Sequence, residues 1–211
     1  MLKEHINFLY SKELQSIKEN KEHLFFYCNN TIHPLQNIWN NETLLAAIPT
    51  DKLKECGNEK PILLHTHILH DSSPSYEDFN GYNKKFFDGI CVIGIDGIQC
   101  YNTKNERTYV HDWFSKFKTD YLNNKGNVWT GKNVFCDHLG SEYYCEIQNE
   151  SNDVKKMGIF KNFSTFNGKT IFNTNNAHVT FQSADTISCL SSPNNESLSC
   201  IAEKKNGDRE I

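Results

Sequence analysis

A short apolar strand that ends in two histidines and runs into a helix start constrains this chain more than any other feature. The run Pro61-Ile-Leu-Leu64 begins with proline and predicts a buried strand that delivers His65 and His67 at its C-terminal end. Side chains at positions i and i+2 lie on one face of an extended chain, so both imidazoles can reach one ion. Two neighbouring histidines on a strand are more often ordinary histidines than ligands, so the residues that follow decide between the two interpretations.

A serine and an acidic residue mark the start of the next helix. Ser75 and Asp78 stand eight and eleven residues after His67, and the aromatic spacing of Phe79, Tyr82 and Phe86 is helical. Ser-x-x-acidic before an apolar periodicity is an N-capping signature, which requires no metal. The capping role is compatible with a second role, because a carboxylate in the first turn of the helix would face the strand end.

Two imidazoles and one carboxylate make up a set of three zinc ligands. Zinc in catalytic sites is typically held by three protein ligands with a water molecule in the fourth position, whereas structural zinc sites are closed by four ligands. Bound zinc lowers the pKa of that water to about 7. His65, His67 and Asp78 therefore predict a catalytic zinc site.

These residues resemble the motif of the JAMM (also JAB/MPN) zinc metalloproteases, which consists of an upstream Glu, then His-x-His-Pro, a spacer and Ser-x-x-Asp. Ile68 stands where the family usually has proline. The resemblance covers roughly residues 5 to 112 and is carried by the site motif. It implies an α+β fold, three-layer-like, with a cytidine-deaminase-like core in which helices flank a mixed β-sheet.

The family also implies a catalytic glutamate in the strand after the first helix. Glu22 opens the apolar run 21–28 after a helix predicted over residues 8–20, and it is our candidate for the general base. Glu19, within the helix, and Glu42, within a polar stretch, are the weaker alternatives. Without the zinc motif, Glu22 would be interpreted as a solvated residue between a helix and a strand.

The order of elements around the motif also matches the family. We expect two strands and a short helix ahead of the histidines, and a strand and a hairpin after Asp78 with Asp96-Gly97 as the turn. The predicted ranges are strands 31–37 and 44–48, helix 49–53, strand 89–94 and strand 98–101.

The resemblance implies that the chain hydrolyses amide bonds with a water molecule activated by Zn²⁺. Glu22 would act as general base, and Ser75 would donate its O–H to the oxyanion. The implied substrate is a ubiquitin-like or sulfur-carrier protein, cut after its C-terminal glycine. Only residues 83–88 separate the helix from the next strand, so the long insertion of some members is missing and the chain looks like the compact prokaryotic and archaeal members.

Other interpretations of the motif stay open. The chain could be a non-catalytic MPN scaffold, although such scaffolds usually lack one or more ligands, or a zinc peptidase that acts on another peptide substrate. Amidohydrolase-like barrels and the polymerase-and-histidinol-phosphatase type also use His-x-His, but they need further ligands on later strands. The histidines left downstream have no alternating strand–helix pattern around them: His111, His138 and His178.

Composition narrows the setting in which the chain acts. With a net charge of −4 and a pI near 6.1 it has no basic face for nucleic acid. No apolar run reaches the length of a membrane span or forms the core of a signal peptide, so we predict a cytoplasmic protein without membrane contact. The eight cysteines form no C-x-x-C pair, and we predict that they are buried, reduced thiols.

The second half of the chain carries no motif that we recognise. We predict a zinc protease domain over residues 1–126, which ends with an aromatic helix, and a β-rich extension of unknown role over 127–211. Asn167-Gly168 predicts a hairpin that joins strands 163–166 and 169–172. We expect any homodimer or complex contact to use this extension. The aromatic helix contains Trp113, Phe114, Phe117 and Tyr121; the other predicted features are a strand over 177–182 and a frayed tail over 203–209.

Overall fold

The protein is an α+β protein with mixed sheets and few helices. The computed structural model describes residues 2–35, 50–166, 170–173, 178–181 and 186–203. The chain divides into two compact units, Met1–Ser115 and Lys116–Ile211. This division falls inside the aromatic helix, which the predicted boundary after residue 126 assigns wholly to the first half. The division into two domains, residues 1–126 and 127–211, stays a prediction.

The first unit is built on one six-stranded sheet. Its elements are α1 Ile6–Glu19, β1 Leu24–Cys28, β2 Thr31–Leu35, α2 Thr50–Leu53, β3 Ile62–Thr66, α3 Tyr76–Gly81, β4 Gly89–Gly94, β5 Gly97–Asn102 and β6 Arg107–Asp112. Two 3₁₀ turns, Leu2–His5 and Lys54–Cys56, accompany them. The strands lie in the order β2-β1-β3-β4-β5-β6, and β3 and β4 are parallel while the other neighbours are antiparallel.

Helices contact this sheet on both faces. Phe8 of α1 meets Phe25 of β1 edge-on, with ring centroids 5.8 Å apart. Phe79 of α3 meets Tyr101 of β5 edge-on at 5.1 Å. Phe25 and Tyr101 point to opposite faces, because the strand register places Phe25 in line with Cys100, the neighbour of Tyr101. The mixed sheet flanked by helices that we expected is therefore present, and the finer assignment to a JAMM core stays a proposal.

Most elements predicted for the first unit are confirmed, with two differences at their ends. Gly94 pairs with Gly97, so the hairpin turn is formed by Ile95 and Asp96, one residue earlier than predicted. The reason is the close approach of β6: a Cβ on Gly97 would lie 1.8 Å from the carbonyl oxygen of His111. Helix α3 ends at Gly81 because Tyr82 is extended, with φ −100° and ψ 147°. The predicted strand 44–48 lies outside the described residues.

The second unit is β-rich, as predicted, but its pairing differs from the predicted hairpin. β11 (Asn162–Phe166) pairs in parallel with β15 (Ser197–Glu203), and β12 (Thr170–Asn173) pairs with β13 (His178–Phe181), so the predicted pairing of strands 163–166 and 169–172 is wrong. A buried apolar partner strand outcompetes the local turn signal, since Leu198, Cys200 and Ile201 of β15 are fully buried. After α4 Phe114–Asn123, the strands are β7 Val128–Gly131, β8 Asn133–Leu139, β9 Glu142–Gln148, β10 Val154–Phe160, β11 Asn162–Phe166, β12 Thr170–Asn173, β13 His178–Phe181, β14 Thr186–Ser191 and β15 Ser197–Glu203.

All eight cysteines form disulfide bonds, so the prediction of reduced thiols is wrong. The pairs are Cys28–Cys56, Cys91–Cys100, Cys136–Cys145 and Cys189–Cys200. Three of these pairs join residues directly opposite each other on neighbouring antiparallel strands. Their sequence separations of 9, 9 and 11 carry no motif, and only the strand register brings the sulfurs together. Within the described parts of the chain, every helix is too short or too polar to cross a membrane.

Candidate metal centre

The end of β3 is held from both sides by the backbone of its neighbours. His65 pairs with Leu24 of β1 and with Val92 of β4. Beyond it, the N–H of Thr66 donates to the carbonyl of His23 at 3.0 Å, and the N–H of His67 donates to the carbonyl of Ile93 at 2.8 Å. The predicted strand therefore delivers both histidines, and His65 is almost completely buried at 1% exposure.

Ser75 and Asp78 form the predicted N-cap of α3. The N–H of Asp78 donates to Oγ of Ser75 at 3.0 Å, and the N–H of Ser75 donates to Oδ2 of Asp78 at 2.8 Å. This reciprocal capping box fixes the Asp78 carboxylate in the first turn, where it is 6% exposed. The hydroxyl hydrogen of Ser75 is not used by the cap.

The two imidazoles and the carboxylate converge on one point. Nε2 of His65 lies 3.0 Å from Oδ1 of Asp78, and Nε2 of His67 lies 3.2 Å from Oδ2 of the same side chain. One ligand atom from each of the three residues lies within 4.8 Å of the other two. Tetrahedral zinc with ligands at about 2.0–2.2 Å places its ligand atoms roughly 3.3–3.6 Å apart. The spacing and the donor set of two nitrogens and one oxygen therefore fit a zinc ion.

The charges of the cluster favour a bound cation. Burial alone would raise the pKa of Asp78, but hydrogen bonds from His65 and His67 outweigh burial and hold that pKa well below its usual range. Burial would lower the pKa of His67, and the bond to Asp78 outweighs it and raises the pKa. Nδ1–H of His67 donates to the carbonyl of Asp71 at 2.7 Å, so Nε2 is the nitrogen left for a metal. A metal ion would take the place of the proton on Nε2.

Glu22 lies beside this cluster. Continuing the register of β1 and β3 from the Leu24–His65 pair places Glu22 opposite His67, on the same face as both imidazoles. The hydrogen bond from the N–H of His23 to Oγ1 of Thr66, at 2.8 Å, supports this extension of the pairing. The negative charge of Glu22 is also one of the causes that raise the pKa of His67.

The two alternative glutamates have weaker positions. Glu19 lies at the end of α1, is 42% exposed, and pairs with Nε2 of His23 at 3.2 Å. The described contacts of this solvated carboxylate are with Gln15 and His23, and none of them joins it to the cluster. Glu42 lies outside the described residues.

One buried carboxylate on α1, that of Glu13, was missed at the sequence level. Glu13 is completely buried, and neither carboxylate oxygen has a hydrogen-bond partner. Burial and the charges of Asp96 and Glu22 raise the pKa of Glu13 well above its ordinary value. A signal was present, because Glu13 stands four residues from both Leu9 and Ile17 in the apolar stripe of α1. Ser16, on the next turn of α1, donates from Oγ to the backbone carbonyl of Glu13 at 2.8 Å, and the carbonyl oxygen of His67 lies 3.4 Å from the same Oγ.

Comparisons of the chain with protein-family models, with curated proteins and with solved structures found no match. The arrangement of His65, His67 and Asp78, with Ser75 at the helix cap and Glu22 opposite, is therefore the basis for any functional argument. A set of three zinc-type ligands, two of them buried and one partly buried, beside two proton-handling groups is able to support hydrolysis of a carbonyl substrate.

Proposed function

We propose that the protein is a zinc-dependent peptidase of the JAMM type. The observation that carries this proposal is the convergence of His65, His67 and Asp78 on one point, at 3.0 and 3.2 Å between their facing atoms. Three ligands from a strand end and a helix start leave one position of a tetrahedral ion for water, as in catalytic zinc sites. A non-catalytic scaffold would have no need of the complete set.

The chain's own groups divide the proton chemistry between them. A zinc ion at this site would supply a Lewis acid that lowers the pKa of a water molecule to about 7 and polarises the scissile carbonyl. Glu22 accepts the proton of the attacking water and returns it to the leaving amine. Oγ of Ser75 continues to accept the N–H of Asp78 at the helix cap. Its O–H donates to the oxyanion, a contact worth about 10²- to 10³-fold in rate.

The bond we propose for cleavage is the one after the C-terminal glycine of a ubiquitin-like or sulfur-carrier protein. The resemblance of the motif supports this substrate class, and the short 83–88 connection supports the compact form of the family. The leaving group would be the ε-amine of a lysine or the amine of a following peptide. Among the described residues, we assign none to the choice between differently linked modifier chains.

One structural observation favours a second candidate, a zinc peptidase with another peptide substrate. Four disulfide bonds are typical of proteins in oxidising compartments and are rare in the cytosol. The cytoplasmic location stays a prediction, and the disulfides weigh against it. In an oxidising compartment, trimming of a precursor or cell-wall peptide would replace removal of a modifier, with the same site chemistry.

A cleavage assay with zinc-loaded protein tests the proposal. The substrates are a ubiquitin-like protein joined through its C-terminal Gly-Gly to a reporter amine, and a library of short peptides. We expect cleavage after glycine by the parent and by His138→Ala, whose histidine lies far along the chain on β8, and loss of cleavage in Asp78→Ala. Cleavage of library peptides alone selects the second candidate. Bound zinc without hydrolysis of either substrate contradicts both and leaves the scaffold.

A further inference from the structure

The loop between His67 and Ser75 contains a backbone conformation that is unfavourable on its own. Leu69 has a φ of 51°, in the left-handed region that a leucine adopts infrequently, and its side chain is buried at 2% exposure. Ile68 precedes it, so this end of the loop has no proline, and Pro74 lies five residues further on. A backbone of this kind persists only when its surroundings fix it.

The surroundings that fix the loop belong to the β4–β5 turn. The N–H of Ile95 donates to the carbonyl of His70 at 2.9 Å. A Cβ on Gly94 would lie 2.3 Å from the carbonyl carbon of Asp71 and 2.4 Å from the nitrogen of Ser72, so glycine is required for this approach. The peptide group between Asp71 and Ser72 therefore lies directly against the turn.

That peptide group is bonded at both of its ends. Its C=O, from Asp71, accepts Nδ1–H of His67 at 2.7 Å, and its N–H, from Ser72, donates to Oδ1 of Asp96 at 2.6 Å. The peptide is planar, so fixing the N–H also fixes the direction of the C=O. A hydrogen bond donated by the N–H also polarises the group and makes its oxygen a better acceptor.

Asp96 is itself held in place by a buried network. Its side chain is 0% exposed, and Oδ2 accepts from Oγ of Ser72 at 3.1 Å. Nε2 of Gln99 donates to that same hydroxyl at 3.0 Å, and Tyr101 donates to Oε1 of Gln99 at 2.7 Å. Buried carboxylates are rare unless their bonds are satisfied, and this one accepts two bonds from a single residue of the loop.

We propose that Asp96 is a positioning residue for the metal centre, acting through the Asp71–Ser72 peptide to fix the imidazole of His67. With Nδ1–H held by the Asp71 carbonyl, the lone pair of Nε2 points to the ion. This inference rests on the proposed zinc site. Outer groups of this kind typically contribute about 10- to 100-fold to metal affinity.

Zinc affinity, measured by competition with a chelator, tests the inference without any use of activity. We expect Asp96→Ala to bind zinc about 10- to 100-fold more weakly than the parent. Asp96→Asn, which keeps an acceptor for the peptide N–H, should show a smaller loss. Ser72→Ala keeps that N–H and should stay within about threefold of the parent. Asp112→Asn is the matched control, because that carboxylate caps the N–H of Phe114 at 2.9 Å, and it should bind as the parent does.

Nitrogen NMR of the His67 ring separates a positioning role from a merely structural one. In the zinc-loaded parent we expect one fixed tautomer protonated at Nδ1. In zinc-loaded Asp96→Ala or Asp96→Asn we expect an increased share of the tautomer protonated at Nε2. A folded Asp96→Ala with parental zinc affinity and the parental tautomer would overturn the inference. If Asp96→Ala does not fold, the same two readings on Asp96→Asn decide. If the parent binds no zinc, the proposed function fails, and retention or loss of the hydrogen-bonded Nδ1–H signal of His67 in metal-free Asp96→Ala still decides the role of Asp96.

Discussion

Two glutamates near the proposed metal centre differ in what surrounds them, and this difference predicts different roles. Glu22 is partly exposed and lies opposite His67 by strand register, so it can exchange a proton with a water molecule at the site. Glu13 is completely buried and without a hydrogen-bond partner for its carboxylate. The first suits general-base catalysis, whereas the second is a destabilising group whenever it is charged.

The role of Glu22 predicts a separation of metal binding from catalysis. Glu22→Gln should keep its zinc and its fold while losing about 10²- to 10⁴-fold in hydrolysis, since an amide cannot accept the proton of the water. Glu19→Gln is the matched control and should stay active. Zinc content and cleavage rate are measured on the same preparations. An active Glu22→Gln together with an inactive Glu19→Gln or Glu42→Gln would show that another glutamate is the base.

The burial of Glu13 predicts a pH dependence of stability. Its folded-state pKa lies well above its ordinary value, so its contribution to stability is fully present below about pH 4.5 and is lost as the pH rises through the folded-state pKa. Glu13→Gln has no charge to bury, so its Tm relative to the parent should rise between pH 4.5 and 8, by about 2–4 °C for each kcal/mol gained. Thermal unfolding of metal-free protein measures this. A Tm difference that does not change with pH would contradict it.

At the scale of single elements, sequence patterns correctly predicted the features that depend on neighbouring residues in the chain. The apolar run before His65 and the capping signature at Ser75 gave the right strand and the right helix start, because strand burial and helix caps are set by neighbours in sequence. Pairing is set by distant residues, so the partner of β11 and the one-residue shift of the Asp96 turn were missed. Asp96 was noticed only as a turn residue, since its bond to Ser72 crosses 24 positions.

The helix cap at α3 predicts a double effect of one substitution. Ser75→Ala should destabilise the protein by about 1 kcal/mol through the lost cap and slow hydrolysis by about 10²- to 10³-fold through the lost O–H donor. Ser75→Thr restores both groups and should recover most of each loss. Ser73→Ala, in the same loop, controls for the removal of a hydroxyl. Rates equal to the parent in Ser75→Ala would remove Ser75 from the mechanism while leaving its capping role.

At the scale of the whole molecule, both units carry disulfide bonds, two in each. The sequence did not indicate this, because cysteine counting recognises short motifs and small secreted domains and does not register pairs across strands. Persistent disulfide bonds are typical of proteins in oxidising compartments and rare in the cytosol, so they weigh against the predicted cytoplasmic location. The three ligands of the proposed metal centre, His65, His67 and Asp78, include no cysteine, so their own side chains do not change with the redox state.

Thiol counting tests the disulfide assignment. Protein purified from an oxidising compartment should take up no alkylating reagent when unfolded without reductant and eight equivalents after reduction, read by intact mass. Reduction should lower stability, because removal of a native disulfide typically costs about 2–5 kcal/mol. Uptake of reagent before reduction would contradict the pairing.

Zinc content tests the central claim most directly. Purified and zinc-equilibrated protein should hold about one zinc ion per chain by elemental analysis, because three converging ligands suffice for a catalytic site. His67→Ala and Asp78→Ala should each lose most of that zinc, while His138→Ala, outside the cluster, should keep it. Full zinc retention in both ligand variants, or no zinc in the parent, would contradict the assignment of His65, His67 and Asp78 as the metal centre.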